Sequence, residues 1–425
     1  MSTSDERSVF LRRESEARSY CRRFDAVFAS ASGSLLRDAA ERDYIDFLAG
    51  CAALNYGHND PDMAAALIAH IQGNGIAIGL DLHTEAKRAF LETFERDILR
   101  PRGLSHRVQF TGPTGTNAVE AAMKLARKVT GRHNIIAFTN GYHGVTLGAL
   151  AATGSRYHRM GVPLAGVTRA PYDGYMGADT DTADLLERML DDPSSGVDLP
   201  AAILLETVQG EGGLNVASAG WLAHVAAIAR RHGALLIVDD VQAGCGRTGG
   251  FFSFEGMGVV PDLIAMSKSI SGFGLPMALV LVKPEHDRWL PAEHNGTFRG
   301  NTHAFVTARV AIEKYWRTPD FQAGAAQRAA LVTQRLEEMS RLVPGSALKG
   351  RGMMQGLDVG TGELASRICT ECFAQGLVVE TSGAHDQVVK ILAPLNTPIE
   401  LLTQGLDILH AATLTAAKTE LLTAA

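Results

Sequence analysis

The chain has 425 residues, enough for two or three domains around a large core. With 46% hydrophobic residues, 20% charged residues, 44 Gly and 15 Pro it is an ordinary globular composition, which excludes disordered, collagenous and coiled-coil classes. The 40 Lys+Arg against 46 Asp+Glu leave a net charge of −6, too mild for a nucleic-acid footprint.

The N-terminus, MSTSDERSVFLRRESEARSY, lacks the apolar stretch of a signal peptide, and no uncharged apolar run is long enough to span a bilayer. Five scattered cysteines, Cys21, Cys51, Cys245, Cys369 and Cys372, do not form a disulfide framework. A cytoplasmic protein without membrane or nucleic-acid partners is expected. Residues 1–60 read as an N-terminal segment that joins a small domain at the other end of the chain.

From about Pro61 to Arg100 the apolar spacing is helical, with Met63, Leu67, Ile68 and Ile71 on one stripe, interrupted by Gly73 and Gly75. Short apolar runs then recur: RVQF from Arg107, NIIAFT from Asn134, AAILLETV from Ala201, ALLIVDDV from Ala234, DLIAMS from Asp262 and MALVLV from Met277. Such runs suit strands buried on both faces. Helical patterns lie between several of them, notably NAVEAAMKLARKV from Asn117 and GWLAHVAAIARRHG from Gly220. This alternation predicts an α/β fold with a mostly parallel, doubly wound sheet over residues 61–303. Two long helices follow, AFVTARVAIEKYW from Ala304 and another from about Phe321 to Leu342, and then a short α+β tail. They define a smaller C-terminal domain over 304–425. The turn-rich DDPSSGVD from Asp191 is read as a surface loop.

Gly244, Gly246 and Gly249 spell G-x-G-x-x-G, but the acids Asp239 and Asp240 precede the glycines and the chain runs on into GFFSFEG. A dinucleotide site has its acid downstream and opens a helix on the last glycine, so this reading is disfavoured. Asp239 instead ends a buried strand, and Lys268 lies just past the end of the next one, which puts a carboxylate and an amine at one sheet edge. Open α/β sheets bind ligands along that edge. A desolvated lysine loses its charge readily and suits covalent chemistry with a carbonyl, while a strand-end Asp pairs with a pyridinium nitrogen. Together they suggest pyridoxal phosphate. Gly115 and Thr116 supply a turn before a helix, where an anion is favoured, and Tyr142 and His143 stand between glycines where an aromatic can lie on a flat ring. Cys369 and Cys372 form C-x-x-C without a second pair or a nearby His, so no metal site is predicted.

Six segments in order resemble the class III, fold type I, pyridoxal-phosphate aminotransferases: TGPTGTNAVEAAMKLARK, GYHG, ETVQGEGG, DDVQAGCGRTG, SKSISGFGLP and NGTFRGN. The resemblance implies that Lys268 bonds the cofactor and carries the proton, and that Asp239 keeps its ring nitrogen protonated. It also implies that Tyr142 (with His143) and Val241 flank the ring, Gln242 bonds its phenolic oxygen, and Gly115, Thr116 and, across a homodimer, Thr297 hold the phosphate. Glu206 and Glu211 fall in the family's substrate-gate segment, with Lys390 as the gate's basic partner where ornithine and GABA enzymes carry an arginine. Asp25 stands where a proline is usual. The wording RSYCRRF, GLDLHTEAK, PYDGYMG and EHNGTFRGNTHAFVTA is similar to family members that open ectoine synthesis. That similarity implies L-2,4-diaminobutyrate and 2-oxoglutarate as substrates. Neighbouring readings are an ornithine- or GABA-like ω-aminotransferase and a diaminobutyrate-forming enzyme of another pathway.

Overall fold

A strand whose residues are all apolar must be covered on both faces, and the runs noted above are covered in this way except RVQF, which is half-buried at the sheet edge. The structure, a computed structural model, describes residues 8–424, so the first seven residues of the N-terminal reading lie outside the described residues. Seven strands form the central sheet: β1 (Arg107–Phe110), β2 (Ile135–Phe138), β3 (Val167–Ala170), β4 (Ala202–Leu205), β5 (Leu235–Asp239), β6 (Leu263–Met266) and β7 (Leu279–Val282). Their order is β1-β7-β6-β5-β4-β2-β3. β7 runs antiparallel to both neighbours, and the pairs from β6 through to β3 are parallel.

Alternate strand residues sort into two separate cores. Ile135, Ala137, Leu204, Leu235, Ile237 and Ala265 pack with Ala118, Ala122 and Leu125 of α1 (Gly115–Thr130) on one face. Ile136, Phe138, Leu205, Leu236, Val238 and Ile264 pack with Trp221, Val225 and Ile228 of α2 (Ala219–Arg231) on the other. The period of two in the strands therefore makes the sheet doubly wound.

α3 (Thr302–Tyr315) brings Ala304, Phe305, Ala308 and Ile312 into the α2-side core. A further core gathers α4 (Asp320–Ser340), α5 (Gly362–Ala374) and α6 (Ile399–Ala424) over an antiparallel sheet. That sheet holds β8 (Ala347–Arg351), β9 (Met354–Asp358), β10 (Glu380–Ser382) and β11 (Val388–Ile391) in the order β8-β9-β11-β10. Ile45 and Phe47 of the N-terminal segment join the same core, and strand Asp43–Asp46 pairs in parallel with Leu377–Val378. We propose that the small domain begins between α3 and α4, later than the expected 304, because α3 buries its apolar face on the large sheet.

The predicted stripe on helix Pro61–Gln72 is only partly interior. Met63 is fully buried, whereas Ile68 and Ile71 are more than half exposed. Among the described residues no helix is long and apolar enough to cross a membrane.

Arg247, fully buried, braces the two units. Its guanidinium donates to Asn55 Oδ1 (3.1 Å from Nε), to Ala393 O at 2.6 Å and to Met353 O at 3.1 Å. Arg247→Met leaves these buried acceptors unserved and is expected to lower stability by roughly 3 kcal/mol or more. In a chain of this size that is a fall of about 3 °C in the calorimetric midpoint, and Arg247→Lys, without the planar fork, is expected to recover little of it. An unchanged midpoint in Arg247→Met would remove the brace.

Candidate active site

Five loops converge because parallel strands end on the same side. Gly115 opens α1 after β1, Tyr142 and His143 follow β2, Glu206 follows β4, Asp239 is the last residue of β5, and Lys268 lies just beyond β6.

Leu235 and Ile237 point to the α1 face, and the same alternation sends the Asp239 side chain there. Its Oδ2 lies 2.8 Å from His143 Nδ1, and Oδ1 accepts from Val241 N at 3.2 Å. Both side chains are buried. Burial opposes a charge on His143, but the Asp239 carboxylate outweighs it and raises the imidazole pKa above its ordinary value. The His143 amide donates to Thr153 Oγ1 at 3.0 Å, which fixes the turn. The pair can aim a carboxylate at a cationic ring nitrogen in a dry site.

At the start of α1, Asn117 Oδ1 accepts from Thr114 Oγ1 at 2.7 Å. Among the described residues the amides of Gly115 and Thr116 have no acceptor in the chain. A Cβ on Gly115 would lie 2.8 Å from Val241 Cγ1, and one on Gly144 would lie 2.4 Å from Thr116 Oγ1. Only glycine lets these turns close. Glu120 of α1 accepts from the amides of Gly148 and Ala149 at 2.8 and 3.1 Å, which ties the Tyr142 loop to the helix. The result is a cradle of free amides at a helix N-terminus, suited to a phosphate.

Lys268 occupies the left-handed region, with φ +53°. Among the described residues its ammonium has no hydrogen-bond or ion-pair partner, and burial lowers its pKa. The next residue, Ser269, donates to Ala52 O at 2.7 Å and accepts from Asn55 N at 3.0 Å. These bonds pin a turn in which Ala49, Gly50, Cys51 and Ala52 are all left-handed. Cys51 Sγ lies 2.7 Å from Tyr20 Oη, and burial pushes its thiol up to about 11. Sequence reasoning missed Cys51 and Tyr20, and no motif marks them.

The gate segment is held against the small domain. Lys390 Nζ lies 2.9 Å from Glu211 Oε1 and 2.9 Å from Glu380 Oε1, and Gly210 O is 3.4 Å away. Glu211 Oε1 also accepts from Gln242 Nε2 at 3.0 Å. Lys390 is fully buried, yet its two carboxylates raise its pKa; Lys390 in turn outweighs burial at Glu211 and lowers that carboxyl. Glu380 was not foreseen, although an acid inside the apolar run LVVETS marks it. Glu206 proves to be a positioning group: its Oε1 accepts from Tyr142 N at 2.8 Å and its Oε2 from Gly210 N at 3.2 Å. Burial raises its pKa.

Thr297 is exposed in the loop between β7 and α3. The glycines of G-x-G-x-x-G lie in consecutive turns that open no helix. Cys372 is buried in the small-domain core and Cys369 packs against it. His58 lies 2.7 Å from Asp46 Oδ2.

The family model described as aminotransferase class-III matches residues 17–413. An uncharacterised aminotransferase of Sinorhizobium fredii, y4qG, is 55% identical over 413 residues, covering 96% of this chain and 92% of that protein. A diaminobutyrate–2-oxoglutarate transaminase of Vibrio cholerae is 56% identical over 406 residues, covering 95% and 98%. The solved ornithine aminotransferase of Toxoplasma gondii, with pyridoxal phosphate at partial occupancy, superposes with a TM-score of 0.84 at 24% identity. It covers 98% of this chain and 96% of its own.

Asp240, the neighbour of Asp239, gives a test of how dry this edge is. Burial pushes its carboxyl up to about 7, although Ser253 N donates to it at 3.2 Å. An acid raised in the folded state contributes stability that is complete below about pH 4, the unfolded value, and is lost as pH rises toward 7. Asp240→Asn is therefore expected to gain on the wild type by on the order of 2–4 kcal/mol between pH 5 and pH 8. Parallel melting-temperature profiles for the two proteins would contradict a buried, raised Asp240.

Proposed function

The chain belongs to the class III aminotransferases, and from that premise we propose that it moves the terminal amino group of L-2,4-diaminobutyrate to 2-oxoglutarate, giving aspartate 4-semialdehyde and glutamate. The observation that carries the chemistry is the pairing of an unpartnered, desolvated Lys268 with the buried Asp239–His143 pair at the ends of adjacent parallel strands. The substrate is supported by relatives above 50% identity that are diaminobutyrate–2-oxoglutarate transaminases, and ectoine formation is the pathway this points to.

The family is pyridoxal-phosphate-dependent, and the residues fit that group. Free amides at Gly115 and Thr116 suit its phosphate, Asp239 suits its ring nitrogen, and Lys268 its carbonyl carbon. Tyr142 and Val241 would take the two ring faces, and Gln242 would bond the phenolic oxygen. When bound, the cofactor supplies an electron sink for the charge left as a proton leaves the substrate carbon.

Asp239, oriented by its bond to His143, would hold the ring-nitrogen proton. An asparagine there could not. Lys268, whose proton is loosened by burial, takes the proton from the substrate carbon and delivers it to the cofactor carbon. Glu211 masks Lys390 while a cationic donor occupies the pocket and leaves it for the dicarboxylate. Its side chain is one-third exposed, which gives it room to move, whereas Lys390 is fixed in the core.

A homodimer with shared sites is part of the proposal. Thr297 is exposed, as a residue serving a partner's phosphate cup must be, and Ile68, Ile71, Ile76, Ile78, Leu80 and Leu82 form an exposed apolar run in the same chain. The five free thiols support a cytoplasmic location.

Two experiments test this reading. Borohydride reduction and peptide mapping are expected to place a pyridoxyl group on Lys268, and Lys268→Ala is expected to lose turnover by several orders of magnitude while still binding cofactor. An adduct on another lysine would reassign the site. In single-turnover spectra diaminobutyrate is expected to convert the cofactor about 10²-fold faster than ornithine, whose extra methylene displaces the reacting amine by on the order of 1 Å. Ornithine or 4-aminobutyrate outpacing diaminobutyrate would overturn the substrate and leave the family standing.

A further inference from the structure

Lys390 has two carboxylate neighbours, and a gate needs one. Glu380 lies directly opposite Lys390 across the β10–β11 pair, and its Oε1 is 2.9 Å from Nζ. Beyond that ion pair no donor among the described residues serves Glu380 Oε1, a buried carboxylate oxygen on a residue only 3% exposed. Such atoms are uncommon in folded proteins and call for a physical reason. Glu211 differs, being bonded to both Lys390 and Gln242.

Charge sharpens the point. Burial, with Glu211 beside it, raises the Glu380 carboxyl above its ordinary value against the pull of Lys390 and Lys268, so the pocket holds its second carboxylate short of positive charge. That carboxylate is felt at Lys268 and Cys51, where the substrate must enter. A cation on the substrate answers both needs, since an ammonium group brings a positive charge and three donors.

We infer that Glu380 is a specificity-determining residue of the outer pocket, whose Oε1 receives the non-reacting ammonium group of a diamino acid while the distal amine meets the cofactor. The inference rests on the diaminobutyrate reading above. The same carboxylate works against the second substrate: when Glu211 leaves Lys390, Glu380 remains beside it, so a dicarboxylate meets a lysine that is already half-neutralised. Removing the charge at 380 therefore acts with opposite sign on the two half-reactions. Structural damage cannot produce that signature.

The test compares half-reactions of wild-type and Glu380→Gln holoenzyme by stopped-flow absorbance. Diaminobutyrate and 4-aminobutyrate share chain length and distal amine and differ by the α-ammonium alone. In the wild type kcat/KM for diaminobutyrate is expected to exceed that for 4-aminobutyrate by tenfold or more. Glu380→Gln is expected to erase most of that ratio and to lower KM for 2-oxoglutarate. Glu380→Asp, which keeps the charge, is expected to retain a preference for diaminobutyrate. Equal losses with both amines, or a raised KM for 2-oxoglutarate, overturn the inference and leave the function intact. Should Glu380→Gln not fold, a wild type that treats the two amines alike overturns it equally. A wild type unreactive with diaminobutyrate removes the function reading and this inference with it.

Discussion

Burial of the central strands on both faces is the constraint from which the rest follows. A strand such as Leu235–Asp239, interior along its whole length, has nowhere to place a polar side chain except its end. Parallel pairing of β5 with β4 and β6 then brings several such ends to one edge. The polar residues needed for chemistry gather there because the sheet excludes them elsewhere, and the loops that carry them close over a site walled by packed apolar side chains. The low polarity of those walls raises the carboxyls of Glu206 and Asp240 and lowers the ammonium of Lys268.

The same fact explains what could be read from the sequence. Five of the seven central strands announce themselves as unbroken apolar runs, β1 (RVQF) being a half-buried edge strand with two polar residues, and Asp239 and Lys268 stand out because each interrupts such a pattern at its end. β3, VTRA, escapes notice: it is a half-buried edge strand with one β-branched apolar residue, and its place is set by pairing with β2 and not by its own composition. The left-handed turn at residues 49–52 was equally silent. Its conformation is imposed from far along the chain by Ser269, and three of its four residues are not glycine. Glu206 lies where the gate segment was expected, yet its carboxylate serves the backbone of the Tyr142 loop. Spacing shows where an acid falls; only the fold shows which donors it meets.

Two lysines in one pocket show how environment divides labour between identical side chains. Lys268 and Lys390 both lose water. At Lys390 two carboxylates exceed the cost of burial and hold the charge on; at Lys268 no hydrogen-bonded partner offsets it and the proton is loosened. One ammonium is thereby fixed as a recognition charge and the other made available as a nucleophile and proton carrier. Moving either carboxylate closer to Lys268 would charge the nucleophile at the expense of the reaction.

The choice of lysine at 390 has its own consequence. A guanidinium presents donors in a planar fork that matches one carboxylate two-fold, and such a pair is self-contained. An ammonium is a compact charge with three donors spread in space, and here it faces Glu211, Glu380 and Gly210 O at once. None of these contacts is bidentate, so releasing Glu211 costs Lys390 one interaction, along with the Gln242 bond, and leaves Lys390 with a remaining counter-charge. The gate is consequently easier to open than an arginine fork and weaker in its grip on a dicarboxylate. That balance suits an enzyme whose first substrate is cationic, and it is set by Lys390 and Glu380, the two buried residues that stay in place when Glu211 leaves.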